Sequence, residues 1–226
     1  MNEGVRNSEK TDRIGLFGGT FNPIHYGHLR AAEEVREHLN LSKIIFIPAH
    51  IPPHKNGEAM TAAAHRLQMV HRAIKNNPFF TASDFEITQS RTSYSIYTVE
   101  HFQNTFDPQA ALFFIMGMDS FREITTWKEY ARLFSLINFV VMSRPGSPNP
   151  DPLNALPVDV IKNFVYNSKE RYFEHALGRR IYFQEITLLD ISSRAIRDQL
   201  KEDRSVRYAL PPEVEDYIRT HNLFRP

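Results

Sequence analysis

The 226 residues carry 27 Lys or Arg against 26 Asp or Glu, a formal charge of +1, with 42% hydrophobic and 23% charged side chains. Those proportions belong to a globular chain able to bury a sizeable core, and the balanced charge argues against general nucleic-acid binding, which needs a net basic face. The absence of cysteine excludes disulfides, thiolate nucleophiles and Cys-based zinc sites, and no apolar run approaches the roughly twenty residues that cross a bilayer.

Residues 1–13 are polar, carry no apolar segment of the signal-peptide kind, and read as a disordered leader before a single domain over 14–226. The expectation is a soluble cytoplasmic protein with no membrane partner; an oligomer is compatible with the sequence. Ile14–Phe17 is a short apolar run closed by Gly18-Gly19, the pattern of a buried strand and a tight turn. After Pro23, the spacing of Leu29, Ala32, Val35 and Leu39 predicts an amphipathic helix. Lys43–Pro48 is β-branched and aromatic, a second strand. A Pro- and Gly-containing loop, 50–60, leads to Thr61, a candidate cap for a helix carrying Leu67, Val70 and Ile74. Phe79–Ile87 is a plausible strand, and Ser93 a candidate cap for a helix carrying Ile96, Val99 and Phe102. Leu112–Met116 and Ile137–Met142 are unbroken apolar runs, as in a parallel sheet covered on both faces. Residues 145–152 form a Pro/Gly loop, 153–178 suggest a helical connection, and Ile181–Glu185 reads as the last strand. Two further helices, over Ser192–Lys201 and from Pro211-Pro212 toward His221, make a small helical C-terminal part. Strands alternating with helices predict an α/β fold, a Rossmann-like doubly wound parallel sheet, whose ligands bind at the carboxyl ends of the strands.

The segment Gly18-Gly19-Thr20-Phe21-Asn22-Pro23-Ile24-His25-Tyr26-Gly27-His28 joins the first strand to the first helix. Glycines let a ligand approach the backbone, and a helix start offers unpaired N–H groups and a positive dipole end to phosphate oxygens. His25 and His28, three apart, project from one side of the first turn, and Gly27 between them leaves room for a base or ribose. Phosphoryl or nucleotidyl transfer needs positioning and charge stabilisation more than covalent help, and two imidazole donors can supply both. The same histidines could instead be structural, or bind a metal, although a zinc site would need a third or fourth ligand.

H-x-G-H is the signature of the nucleotidyltransferase superfamily, and GGTFNPIHYGH resembles its longer form in the nicotinate- and nicotinamide-mononucleotide adenylyltransferases, of which the further segments below resemble the bacterial nicotinate branch. Asn22 stands where Asp is commoner. Ile191-Ser192-Ser193-Arg194-Ala195-Ile196-Arg197 resembles the family's I-S-S-T-x-I-R block, with Arg194 replacing a small hydroxyl residue. The resemblance implies that ATP is bound by Gly18, Gly19, Thr20, Phe21, His25, His28, Gly117, Asp119, Ile191, Ser192, Ser193 and Arg197. It makes His25, His28 and Arg197 the catalytic groups. Ile51-Pro52-Pro53-His54-Lys55, Ser93-Tyr94-Ser95, Trp127 and Arg144 resemble segments of the same family. They imply that His54, Lys55 and Arg144 face the mononucleotide's anionic groups. By the same resemblance the Ser93, Tyr94 and Ser95 N–H groups meet the nicotinate carboxylate, and Trp127 stacks on the pyridine ring. The implied reaction joins nicotinate mononucleotide to the AMP of ATP, with Mg²⁺ carried on the phosphates and no all-protein metal site. The bland readings are a capped surface helix at 192–201, a core tryptophan, a loop arginine and, for Asp119, a helix N-cap. Competing functions are another adenylyl- or cytidylyltransferase of this fold, a synthetase fragment, which lacks its lysine loop here, and a nucleotide-binding protein with a decayed site.

Overall fold

The computed structural model describes residues 12–53, 60–143, 153 and 156–225. Strands β1 (Arg13–Gly19), β2 (Lys43–Pro48), β3 (Phe80–Ala82), β4 (Ala111–Gly117), β5 (Asn138–Ser143), β6 (Phe164–Asn167), β7 (Tyr172–His175) and β8 (Arg180–Glu185) join in one sheet of order β3-β2-β1-β4-β5-β8-β7-β6. The six strands from β3 to β8 run parallel, and β7 and β6 extend the sheet antiparallel. The helices are α1 (Tyr26–His38), α2 (Ala63–Ile74), α3 (Phe85–Thr88), α4 (Ser95–Thr105), α5 (Met118–Arg122), α6 (Tyr130–Leu136), α7 (Val158–Ile161), α8 (Ser193–Lys201) and α9 (Pro212–Thr220).

The apolar strand runs are buried on both faces because a helical layer covers each. Ile14, Leu16, Leu112, Phe114, Met116, Phe139 and Val141 pack with residues of α4, α5 and α6. Phe17, Ile44, Phe46, Phe113, Ile115 and Val140 pack with residues of α1, α2, α8 and α9. Chain order reverses between β1 and β4, the place where a doubly wound sheet opens a crevice at its carboxyl edge.

Several expectations need correction. The segment 153–178 is not a helical connection: beyond the single turn of α7 it forms the β6–β7 hairpin. Its aromatic and β-branched residues favour a strand, but its turn has no glycine. Arg171 takes the left-handed position at φ 57°, and Asn167 holds the turn through the Arg171 and Glu170 N–H groups. The run 79–87 divides into a three-residue strand and α3, because Ser83 turns back to the Phe46 carbonyl and its hydroxyl accepts the Phe85 N–H. Ala62 and Tyr94, not Thr61 and Ser93, occupy the N-cap positions of α2 and α4. The first strand begins at Arg13, one residue before the expected boundary.

Asn138 is a buried polar residue at the amino end of β5. Its amide donates to the Leu112 carbonyl (2.9 Å) and accepts the Arg180 N–H (3.0 Å), tying β4, β5 and β8. Asn138→Ala strips partners from two backbone groups, and each orphaned buried group costs about 1–3 kcal/mol. Urea unfolding is expected to show a loss of about 2–3 kcal/mol, with activity retained under folding conditions because the site lies at the opposite strand ends.

Candidate active site

The β1–α1 turn is built around close approaches. At Gly19 an added Cβ would sit 2.8 Å from the Phe21 ring, so only glycine lets that ring fold back over the strand end. Phe21 adopts φ 47° and is buried edge-on to Phe17 and His28, with centroids at 5.7 and 5.2 Å. Its side chain is core; only its backbone faces the turn. At Gly27 a Cβ would lie 3.0 Å from the His25 imidazole and 3.6 Å from the Ile191 carbonyl oxygen. The space expected there for a base or ribose is therefore taken by the His25 ring, which lies over the bare glycine.

His25 is the N-cap of α1, and the two imidazoles lie with centroids 3.7 Å apart. The His28 Nδ1 accepts the His25 backbone N–H at 3.3 Å, which places the His28 ring proton on Nε2. His25 is 6% exposed, and its Nδ1 is buried with no hydrogen-bond partner among the described residues. Burial lowers its pKa to about 4, because desolvation penalises the charged ring. At neutral pH the ring is an uncharged, pre-placed hydrogen-bonding group.

The second motif lands on the first. Ser192 caps α8 by accepting the Ala195 N–H at 3.1 Å. The Ser193 hydroxyl donates to the Pro23 carbonyl (2.8 Å) and an Arg197 guanidinium N–H to the Asn22 carbonyl (2.9 Å). The two serines thus divide their work: the Ser193 proton is committed to the turn, whereas Ser192 uses only a lone pair for its cap. Arg194 is exposed, and Ile191 leads into the helix beside Gly27. Asn22 is 5% exposed, with Oδ1 unpartnered among the described residues. A neutral amide suits that setting better than a carboxylate, whose burial unpaired is far costlier.

At the β4 end, Gly117 faces open space, and a Cβ there would meet nothing within 4 Å. Asp119 lies inside α5, whose N-cap is Gly117, so it is not the cap; its side chain is 90% exposed, 3.7 Å from Arg122. Trp127 is half-buried, edge-on to Phe114 at 5.9 Å. Lys128 hydrogen-bonds the Tyr97 hydroxyl and lies 5.2 Å over the Tyr94 ring, tying the tryptophan segment to the start of α4. The Ser93 and Tyr94 N–H groups already bond the Ile51 and Thr92 carbonyls. Ser95 then opens the helix, where first-turn N–H groups lack intrahelical acceptors. His54, Lys55 and Arg144 lie outside the described residues.

Sequence reasoning missed Arg66, His50 and Lys128. Arg66 is fully buried and donates to the Thr20, His50 and Thr61 carbonyls at 2.8, 3.2 and 2.9 Å. Its signal was present: Arg66, Met69, Val70 and Ile74 form the buried stripe of α2, and a cation at helical spacing on an apolar face needs buried acceptors.

A paired-imidazole turn at the switch point, closed by a capped helix with an arginine, defines a nucleotide-transferring α/β protein, and the cytidylyltransferase-like family model matches residues 16–199. A probable nicotinate-nucleotide adenylyltransferase of Geotalea daltonii is 48% identical over 94% of this chain and 98% of its own. One of Syntrophotalea carbinolica is 46% identical over 94% and 97%. The solved structure of Plasmodium falciparum nicotinic acid mononucleotide adenylyltransferase complexed with NaAD matches with a TM-score of 0.70 at 20% identity, over 94% of this chain and 97% of that one, a likeness of fold. The chain belongs to the cytidylyltransferase-like family, among its nicotinate-nucleotide adenylyltransferase members.

The His25 environment sets a pH dependence. The folded state keeps this ring neutral down to about pH 4, whereas the unfolded chain takes up the proton near the ordinary imidazole value of 6.5. Between those values the unfolded state binds more protons, so stability rises with pH; the contribution is full above 6.5 and is lost as pH falls to 4. Urea unfolding at pH 4 and pH 7 is expected to differ more in the wild type than in His25→Gln, by up to roughly 3 kcal/mol.

Proposed function

We propose that this chain transfers AMP from ATP to nicotinate mononucleotide, giving nicotinate adenine dinucleotide and pyrophosphate in cytoplasmic NAD biosynthesis. The observation that carries the reading is the docking of Ser193 and Arg197 onto the Pro23 and Asn22 carbonyls, which joins two phosphate-binding motifs into one cradle beside His25 and His28.

A phosphate oxygen of the mononucleotide attacks the α-phosphorus of ATP in line. The bond from that phosphorus to the bridging oxygen breaks, and pyrophosphate leaves with the electron pair. The His28 Nε2–H and the neutral His25 ring donate to the phosphate oxygens as charge shifts outward. Ser192 and Arg197 hold the leaving pyrophosphate. The β1 turn at Gly18, Gly19, Thr20 and Phe21 lies along the triphosphate. Gly117 and Asp119 take the adenosine side, and Ile191 borders it.

On the acceptor side, the first-turn N–H groups of α4 from Ser95 receive the nicotinate carboxylate, with the turn at Ser93 and Tyr94 placing that helix start, and Trp127 receives the ring. His54, Lys55 and Arg144 complete the charge match. Among the described residues no three His, Asp or Glu converge; Mg²⁺ fits as an ion carried on ATP, with mostly water ligands, where it neutralises phosphate charge. No helix among the described residues is long and apolar enough to cross a membrane. Residues 14–226 act as one domain in this reading.

The decisive assay follows pyrophosphate release from ATP and Mg²⁺ with the acid and the amide mononucleotide in parallel. A higher kcat/KM for the acid is expected, because a carboxylate needs N–H donors and no facing anion; an amide preference overturns the substrate assignment. His28→Ala is expected to lose about 100- to 1,000-fold in kcat, the usual cost of removing one donor to developing charge. Near-normal turnover would remove His28 from the mechanism.

A further inference from the structure

Arg66 has no place in either sequence motif, yet among the described residues it is the largest wholly enclosed side chain. A buried guanidinium is costly unless its N–H groups are satisfied. Here they are satisfied by backbone from separate loops. Nη1 reaches the Thr20 carbonyl in the β1–α1 turn, Nη2 the His50 carbonyl just past β2, and Nε the Thr61 carbonyl before its own helix. The fork geometry matters: a planar group with five donors can serve three divergent acceptors, which an ammonium on a flexible stem cannot do with fixed directions.

His50 passes the connection on. Its backbone N–H bonds the Ser93 hydroxyl at 2.8 Å, and the Ser93 N–H returns to the Ile51 carbonyl at 2.9 Å. Close by, the Glu86 carboxyl accepts the Thr98 hydroxyl at 2.6 Å. Burial pushes the Glu86 carboxyl up, while the Arg66 charge opposes that rise; burial also lowers Arg66 to about 10. An unbroken polar path therefore runs from Thr20, in the turn assigned to ATP phosphates, through Arg66 and His50 to Ser93, in the turn assigned to the nicotinate carboxylate.

We propose that Arg66 is a positioning residue that couples the two substrate sites, holding the β1–α1 turn and the turn before α4 in register so that filling one pre-orders the other. This rests on the adenylyl-transfer reading. Arg66 touches neither substrate; it acts through the Thr20 and His50 backbone.

The test separates that reading from the coupling. Pyrophosphate release by the wild type decides the reading alone. Coupling is read by calorimetry, as the affinity of a nonhydrolysable ATP analogue with and without saturating nicotinate mononucleotide. Wild-type protein is expected to show mutual tightening of at least about fivefold. Arg66→Lys, shown to be folded by circular dichroism and a cooperative melt, is expected to bind each ligand with little mutual effect. Its kcat should fall about 10- to 100-fold, the cost of small misplacements of reacting groups. Ser93→Ala cuts the path beyond His50 without disturbing Arg66, and it is expected to lower the coupling even if Arg66→Lys does not fold. Normal turnover in a wild type without mutual tightening overturns the coupling and leaves the reading intact. Full coupling in Ser93→Ala, or in folded Arg66→Lys with only its melting point lowered, also overturns it.

Discussion

The Ser193 hydroxyl on the Pro23 carbonyl and the Arg197 guanidinium on the Asn22 carbonyl bridge 170 and 175 residues of chain. The other features of the site depend on this docking. It sets the start of α8 beside that of α1, so that two positive dipole ends border the same space. In the proposed reading the two helix starts flank the triphosphate, with the sheet edge beneath. The same docking brings the Ile191 carbonyl over Gly27, where any side chain larger than hydrogen would press on the His25 ring.

In the histidine pair, burial and a backbone contact set the protonation of the rings. The fold keeps one imidazole neutral by enclosing it and fixes the tautomer of the other through a backbone N–H. A neutral, pre-oriented donor needs little reorganisation when charge moves onto phosphate oxygens. The standing cost is a buried His25 nitrogen without a partner among the described residues. Such local costs collect at functional sites and are tolerated because the surrounding core is well packed. The core beneath is dense in aromatics: Phe17, Phe21 and Phe46 meet edge-on or tilted under the turn and hold its shape.

Much of this was legible in the residues. The unbroken apolar runs Leu112–Met116 and Ile137–Met142 marked central parallel strands, and the glycine, proline and histidine spacing marked the turn, because strand burial and close backbone approach restrict residue type strongly. The β6–β7 hairpin was not legible: its turn gives the left-handed position to Arg171, where glycine or asparagine would have announced it. The N-caps were misplaced because Ala62 and Tyr94 stand at the cap positions without a side-chain capping hydrogen bond. The role of Ser93 changed for the same reason, its hydroxyl being spent on the His50 N–H. Arg66 escaped notice since its partners are main-chain carbonyls, which no sequence motif displays. The spacing of the motif residues is visible in sequence; the carbonyls that hold them in place emerge only from the fold.

The most direct measurement is a crystal structure of the protein with a nonhydrolysable ATP analogue and Mg²⁺. The account predicts triphosphate oxygens within hydrogen-bond distance of the His25 and His28 rings, the Ser192 hydroxyl and Arg197, with adenosine beside Gly117. A triphosphate seated elsewhere, with the space between the α1 and α8 N-termini left to solvent, would contradict it.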